Sequence, residues 1–203
     1  MYLAKDITKE GNPVLREKCQ KVSLPLTKDD LNCIRGLFEY VVISAIDELV
    51  EKYQIRPGVG IAAPQVGVAK RMFAINCVDF LDEKQKKYNF AIINPQIIAK
   101  SSEMVYLPGG EGCLSVDRDT HGLVTPRHLR IQIKGEILDY QTNKLKHISM
   151  KLEGYPAIVF QHEYDHLDGI LFTDKMFTED EIEAKPLYVL DENGNLIDDE
   201  IEE

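Results

Sequence analysis

The chain reads as an α+β protein, with antiparallel or mixed β-sheets around a central buried helix that carries a His-Glu-x-x-His motif. A long scaffold helix is expected in the N-terminal half. Three observations predict this. Apolar residues recur at three-to-four spacing in an early stretch. A late stretch is apolar almost all round, as a buried helix must be. Between them lie short segments rich in β-branched residues, part of them alternating in period two.

The elements follow in order. Gly11-Asn12-Pro13 opens a short segment with Pro13 at a first helical position. Thr27 and Asp30 resemble a capping box, with Asp in place of the usual Glu or Gln. From 27 to about 53, Leu31, Ile34, Leu37, Phe38, Val41, Val42, Ala45, Ile46 and Leu49 keep helical spacing, so one long helix is expected there. Arg56-Pro57-Gly58 breaks it. Strands are expected at 72–78, 90–94 and 129–138, with an exposed polar connection over 78–88. Gln141-Thr142-Asn143-Lys144 reads as a turn into a further strand ending near 152. Gly154-Tyr155-Pro156 launches the late helix through Ala157, Ile158, Val159 and Phe160, and Gly169 stops it. Beyond it, Pro186-Leu187-Tyr188-Val189-Leu190 suggests a strand and Asn193-Gly194 a turn.

The 203 residues suit one domain with an appendage: a catalytic domain over 1–173 and an acidic extension over 174–203. At 44% apolar, the chain can bury a sizeable core. The net charge of −10 is unevenly placed, because 174–203 holds 12 acids and 2 bases while the rest is balanced at 22 of each. Nucleic-acid binding through this tail is therefore not expected. No apolar run approaches the ~20 residues that span a bilayer, and the first ten residues lack a signal-peptide core. A cytoplasmic location is the expectation. Cys19, Cys33 and Cys77 are scattered, with no C-x-x-C pair, and read as packed thiols.

Chemistry concentrates in three segments. His162 and His166, four apart on a helix, share a face and can reach one metal ion. Glu163 between them stands where it can pass protons to and from a bound water. A protease continuation would place a third histidine after Gly169, but Phe172 occupies that position. Glu179, Glu181 and Glu183 lie in an acidic run with little apolar pattern to place them. The third ligand is therefore sought upstream. Cys113, within Gly109-Gly110-Glu111-Gly112-Cys113-Leu114-Ser115, can supply a thiolate, and Cys plus two His leaves one position open for water. The third segment, 58–67, is Gly58-Val59-Gly60-Ile61-Ala62-Ala63-Pro64-Gln65-Val66-Gly67. It fits neither phosphate-loop spacing nor a dinucleotide fingerprint. Gln65, its one polar side chain, can donate a hydrogen bond into a site, although a tight turn between helix and strand explains the segment equally well.

Taken together, Gly58-Val59-Gly60-Ile61-Ala62-Ala63-Pro64-Gln65, Glu111-Gly112-Cys113-Leu114-Ser115 and His162-Glu163-Tyr164-Asp165-His166 resemble the three signatures of the peptide deformylases, in the family's order. The resemblance runs from about 12 to 172, and the spacing of the first two motifs looks like the longer subclass of Gram-positive bacteria and their relatives. It implies that Cys113, His162 and His166 hold one divalent metal ion, typically Fe2+, with Ni2+, Co2+ or Zn2+ able to substitute. It implies that Glu163 moves the protons and that the Gln65 amide and Leu114 backbone N–H stabilise the oxyanion. Val59, Gly60, Gly110, Tyr155, Ile158 and Val159 match the family's substrate-binding positions. The implied substrate is the N-formyl-methionyl end of nascent peptides, bound by strand addition and released as formate and a free amine. A monomer and a transient encounter with the ribosome are also implied, although the acidic tail departs from the basic helix by which some members dock there. Two rival readings remain at this point, a general metallopeptidase with the same ligands and a non-catalytic metal-binding module.

Overall fold

A computed structural model describes residues 1–191 and 196–197. Helix α1, Lys28–Ile43, starts at the expected capping box: Thr27 Oγ1 accepts from Asp30 N at 3.1 Å, and the Asp30 carboxylate accepts from Thr27 N at 3.3 Å. Its inner face buries Cys33, Ile34, Leu37, Tyr40 and Val41, the helical spacing of its apolar residues.

The single long helix expected to about 53 is corrected here. The chain breaks after Ile43 and resumes as α2, Asp47–Tyr53. Ala45 N and Ile46 N bond to Val42 O and Ile43 O, tightening the last turn of α1. Ile46 is then extended at φ −129°, ψ 104°, and Asp47 and Glu48 suit a new positive helix N-terminus. Apolar spacing continued across the break and concealed it. α2 ends at Gln54 in the left-handed region, φ 49°.

The strands are β1 Gly60–Ala62, β2 Met72–Val78, β3 Lys87–Lys100, β4 Met104–Tyr106, β5 Arg127–His128, β6 Arg130–Leu138 and β7 Leu145–Glu153. Five form an antiparallel sheet in the order β1-β2-β3-β6-β7, which leaves β1 at an edge. Strand 72–78 is as expected. Strand 90–94 proves to be the middle of a 14-residue element, because Pro95 is accommodated where the register shifts between Ile93 and Gln96. The polar connection after β2 closes with Asp79 N on Lys86 O at 2.8 Å.

Period two along β2 divides the core between the sheet's two faces. Met72 and Ala74 pack with Ile34, Leu37 and Val41 of α1. Phe73, Ile75 and Cys77 pack on the other face with Phe160 of α3, Tyr155–Leu167. The Phe73 and Phe160 rings meet edge to face at 4.9 Å. α3 begins after Gly154, φ 62°, with Pro156 in its first turn. Gly169, φ 74°, follows its end, where an added Cβ would sit 2.6 Å from Arg16 O.

The segment after 173 pairs with the body. Phe177 N and O bond Val124 O and N, and β8, Lys185–Pro186, runs parallel to β4 in the three-stranded sheet β5-β4-β8. The strand expected over 186–190 is split, since β9 comprises Val189–Leu190 only and pairs with β10, Leu196–Ile197. The turn expected at Asn193-Gly194 lies outside the described residues. Among the described residues, no helix is long and apolar enough to cross a membrane.

Candidate metal centre and catalytic cleft

The fold brings the three candidate ligands together. α3 projects His162 and His166 from one face, their rings 5.1 Å apart. Cys113 arrives on the loop between β4 and β5, and its Sγ lies 3.4 Å from His166 Nε2. One ligand atom from each residue lies within 4.8 Å of the others. Phe172, which stands where a protease would carry its third histidine, is buried with its ring 5.6 Å from that of His162. Burial pushes His166 well below the ordinary histidine value, so it is a neutral donor. Burial acts likewise on His162, but Cys113 and Glu111 outweigh it and raise its pKa. A buried thiolate-imidazole set of this kind fits a divalent metal.

A buried charge network holds His162 from behind. Glu111 Oε2 is 2.7 Å from His162 Nδ1, which leaves Nε2 free to ligate. Arg127 donates to the same carboxylate, from Nε at 2.7 Å and Nη2 at 2.9 Å. Its Nη1 reaches Asp165 Oδ2 at 2.5 Å, and Lys175 Nζ also donates to Asp165 at 2.9 Å. Burial works against the Glu111 charge, yet Arg127 and His162 together bring its pKa down to about 2. The roles of Arg127 and Asp165 were not legible from the sequence. Glu111 could have been suspected from its place beside Cys113, but Arg127 lies in no motif.

Gln65 is set by a sorted amide. Its Oε1 accepts from Ala62 N at 2.8 Å, which turns Nε2 toward Cys113 Sγ at 3.4 Å and Ser115 Oγ at 3.2 Å. Both Gln65 and Leu114 line the cavity that contains Cys113, His162 and Glu163. Glu163 Oε2 is buried and has no hydrogen-bond partner among the described residues. Burial raises the Glu163 pKa to about 7. Gly60 makes room for it, since an added Cβ would lie 2.7 Å from Glu163 Cδ.

The cavity measures about 350 Å³. Of the expected substrate positions, Val59, Gly60, Ile158 and Val159 line it, whereas Tyr155 and Gly110 do not. Tyr155 lies one turn before Ile158 and Val159 on α3 and packs on Phe80 at 5.0 Å, with Tyr188 5.4 Å from Phe80. Gly110, φ 84°, turns the loop just before Glu111. The other three cysteines are buried and free, and none of them lines this cavity. Burial pushes Cys19 up to about 11 and Cys77 up to about 12, as inert packed thiols require.

The polypeptide deformylase family model matches residues 4–181. The chain is 47% identical over 176 residues to the peptide deformylase of Halalkalibacterium halodurans, covering 87% of this chain and 92% of that protein. Its fold is similar to a crystal structure of the Thermotoga maritima peptide deformylase, with TM-score 0.58, 33% identity, and coverage of 83% of this chain and 95% of that one. It is likewise similar to the Met-Ala-Ser-bound class I type b peptide deformylase of Acinetobacter baumannii, with TM-score 0.56, 31% identity, and coverage of 83% and 96%. On the family match, the identity and the α+β architecture together, the chain belongs to the peptide deformylase family of hydrolases.

Proposed function

We propose that Cys113, His162 and His166 hold one divalent metal ion, Fe2+ in the cell, and that Glu163, Gln65 and Leu114 hydrolyse the N-formyl group of nascent chains. Ni2+, Co2+ or Zn2+ would fit the same donors. The observation that carries this reading is Glu163: a buried carboxylate with an unpartnered oxygen, one position from His162 and lining the same cavity as all the donors but His166.

Cys113, His162 and His166 would hold a dication, which when bound would lower the pKa of a water and polarise the formyl oxygen. Glu163 would accept a proton from the attacking water, and the water oxygen would add to the formyl carbon. Negative charge moves onto the formyl oxygen, where Gln65 Nε2 and the Leu114 backbone N–H donate hydrogen bonds. As the C–N bond breaks, Glu163 returns the proton to the departing nitrogen, leaving formate and a free amine. Gly60 keeps the carboxylate close by having no side chain of its own.

The methionine side chain takes the apolar wall of Ile158 and Val159, while the peptide runs extended along the free edge of β1 past Val59 and Gly60. Tyr155 borders the methionine site from one turn before Ile158 on α3, and Gly110 shapes the loop that carries Glu111 and Cys113. Main-chain pairing of this kind suits a substrate class of many sequences. The Met-Ala-Ser complex of the Acinetobacter relative is the peptide that such a reaction would leave, and it supports the reading. The enzyme works as a cytoplasmic monomer that meets chains at the ribosome transiently, and the acidic extension makes no nucleic-acid contact. The catalytic unit is 1–173.

The rival within the same chemistry is a general metallopeptidase. The deciding assay compares formate release from formyl-Met-Ala-Ser with cleavage of unblocked Met-Ala-Ser. Formate release without peptide cleavage is expected. Cleavage of the unblocked peptide without formate release would refute the proposal.

A further inference from the structure

We propose that Lys9, which lies outside all three motifs, is a positioning residue for the metal centre. Its ammonium draws on the Leu114 carbonyl, and the Leu114–Ser115 peptide passes that pull to the Cys113 sulfur. This inference rests on the reading of Cys113 as a metal ligand above. The segment Thr8-Lys9-Glu10 runs between the two stretches that carry the proposed oxyanion donors. Ile7 is buried in the core shared with α1 and anchors the segment at its start. Thr8 N donates to Gln65 O at 2.7 Å, and Glu10 N donates to Ser115 O at 2.8 Å. These backbone bonds flank Lys9 and hold it beside the loop that carries Cys113.

Lys9 Nζ donates to Leu114 O at 3.0 Å and to Asp117 Oδ1 at 2.9 Å. Asp117 also accepts from Arg56 Nη1 at 3.3 Å. As an exposed ion pair, Lys9 and Asp117 contribute little to stability. The bond to the carbonyl is different, because the Leu114 carbonyl and the Ser115 N–H belong to one planar peptide unit and point in opposite directions.

The peptide oxygen takes the charge-assisted bond from Lys9, and the peptide N–H donates to Cys113 Sγ at 3.4 Å. Hydrogen bonds linked in this way polarise one another, by ~10–30% per bond. The cation on the surface therefore strengthens a bond to the buried sulfur. Gln65 Nε2 is the second donor to Sγ, also at 3.4 Å. Hydrogen bonds to a cysteine ligand draw electron density from its sulfur and tune the metal it holds. Less donation from sulfur leaves a bound dication a stronger Lewis acid toward the formyl oxygen.

The test is the sulfur-to-cobalt charge-transfer band of the Co2+-loaded protein, in the parent, Lys9→Met, Lys9→Arg and Arg118→Gln. Arg118 Nε pairs with Glu10 at 3.1 Å, so it ties the same two stretches together without a bond to the Leu114–Ser115 peptide. Weaker hydrogen bonding raises the energy of the sulfur electrons. The band is therefore expected to move to longer wavelength in Lys9→Met, to return toward the parental position in Lys9→Arg, and to stay in place in Arg118→Gln. A band unmoved in Lys9→Met, or moved as far in Lys9→Arg or Arg118→Gln, would overturn the inference. No such band in the cobalt-loaded parent would overturn Cys113 as a ligand instead.

Discussion

Glu111 Oε2 lies 2.7 Å from His162 Nδ1, although the two residues are 51 positions apart. The contact fixes which imidazole nitrogen is left for a metal and sets the ring's orientation. Loss of such a partner typically weakens metal affinity ~10–100-fold. Glu111→Ala is expected to do so here, measured by competition with a chelator of known affinity. Unchanged affinity would remove Glu111 from the metal site.

Arg127, itself only 3% exposed, pairs with the buried Glu111 carboxylate and with the partly buried Asp165 carboxylate. Arg127→Met leaves the buried Glu111 carboxylate without its counter-charge, while Asp165 keeps Lys175. Breaking a buried pair in this way typically costs ~3–5 kcal/mol, so the urea midpoint is expected to fall steeply. A variant as stable as the parent would show that the carboxylates find other partners.

Gln65 and Gly60 line the same cavity, and each has a role to test. Gln65→Ala removes the proposed oxyanion donor, so a fall of ~10²–10³-fold in kcat is expected, with metal content unchanged. Gly60→Ala pushes a methyl group to within 2.7 Å of Glu163 Cδ. Displacing a proton-transfer group by ~1 Å can cost ~10²-fold, and the same metal measurement separates this from loss of the ion. Full activity in either variant would contradict the role given to that residue.

Asp30 is buried at the head of α1, where it accepts from Thr27 and pairs with Lys70. Burial raises its pKa, but the Lys70 and Thr27 bonds outweigh burial and the net shift is downward. Folded below unfolded means that the stabilisation is present above the unfolded value of ~3.9 and is lost as pH falls through the lower, folded value. Asp30→Asn should flatten the acid limb of a stability-against-pH curve below pH ~4. An unaltered acid limb would refute this assignment.

The legible parts of the molecule were those with local signals. A capping box at Thr27, a period-two strand over 129–138 and an apolar turn before His162 each carry their meaning within a few residues, and they led to α1, β6 and α3. His162 and His166 could be paired from the sequence because the helical repeat puts one over the other, whereas Cys113 reaches them through the loop between β4 and β5. The break at Ser44 was concealed because apolar spacing continued through Ala45 and Ile46, while tight turn bonds and the acids at 47 and 48 ended the helix. Arg127 was invisible because its importance comes from Glu111 and Asp165, which reach it only through tertiary packing.

The most direct test of the account uses anaerobically prepared, Fe2+-loaded protein and formyl-Met-Ala-Ser. The unmodified chain is expected to release formate, and Glu163→Ala to retain its iron while losing that release. Formate release by Glu163→Ala at the parental rate, or none by the iron-loaded parent, would contradict it.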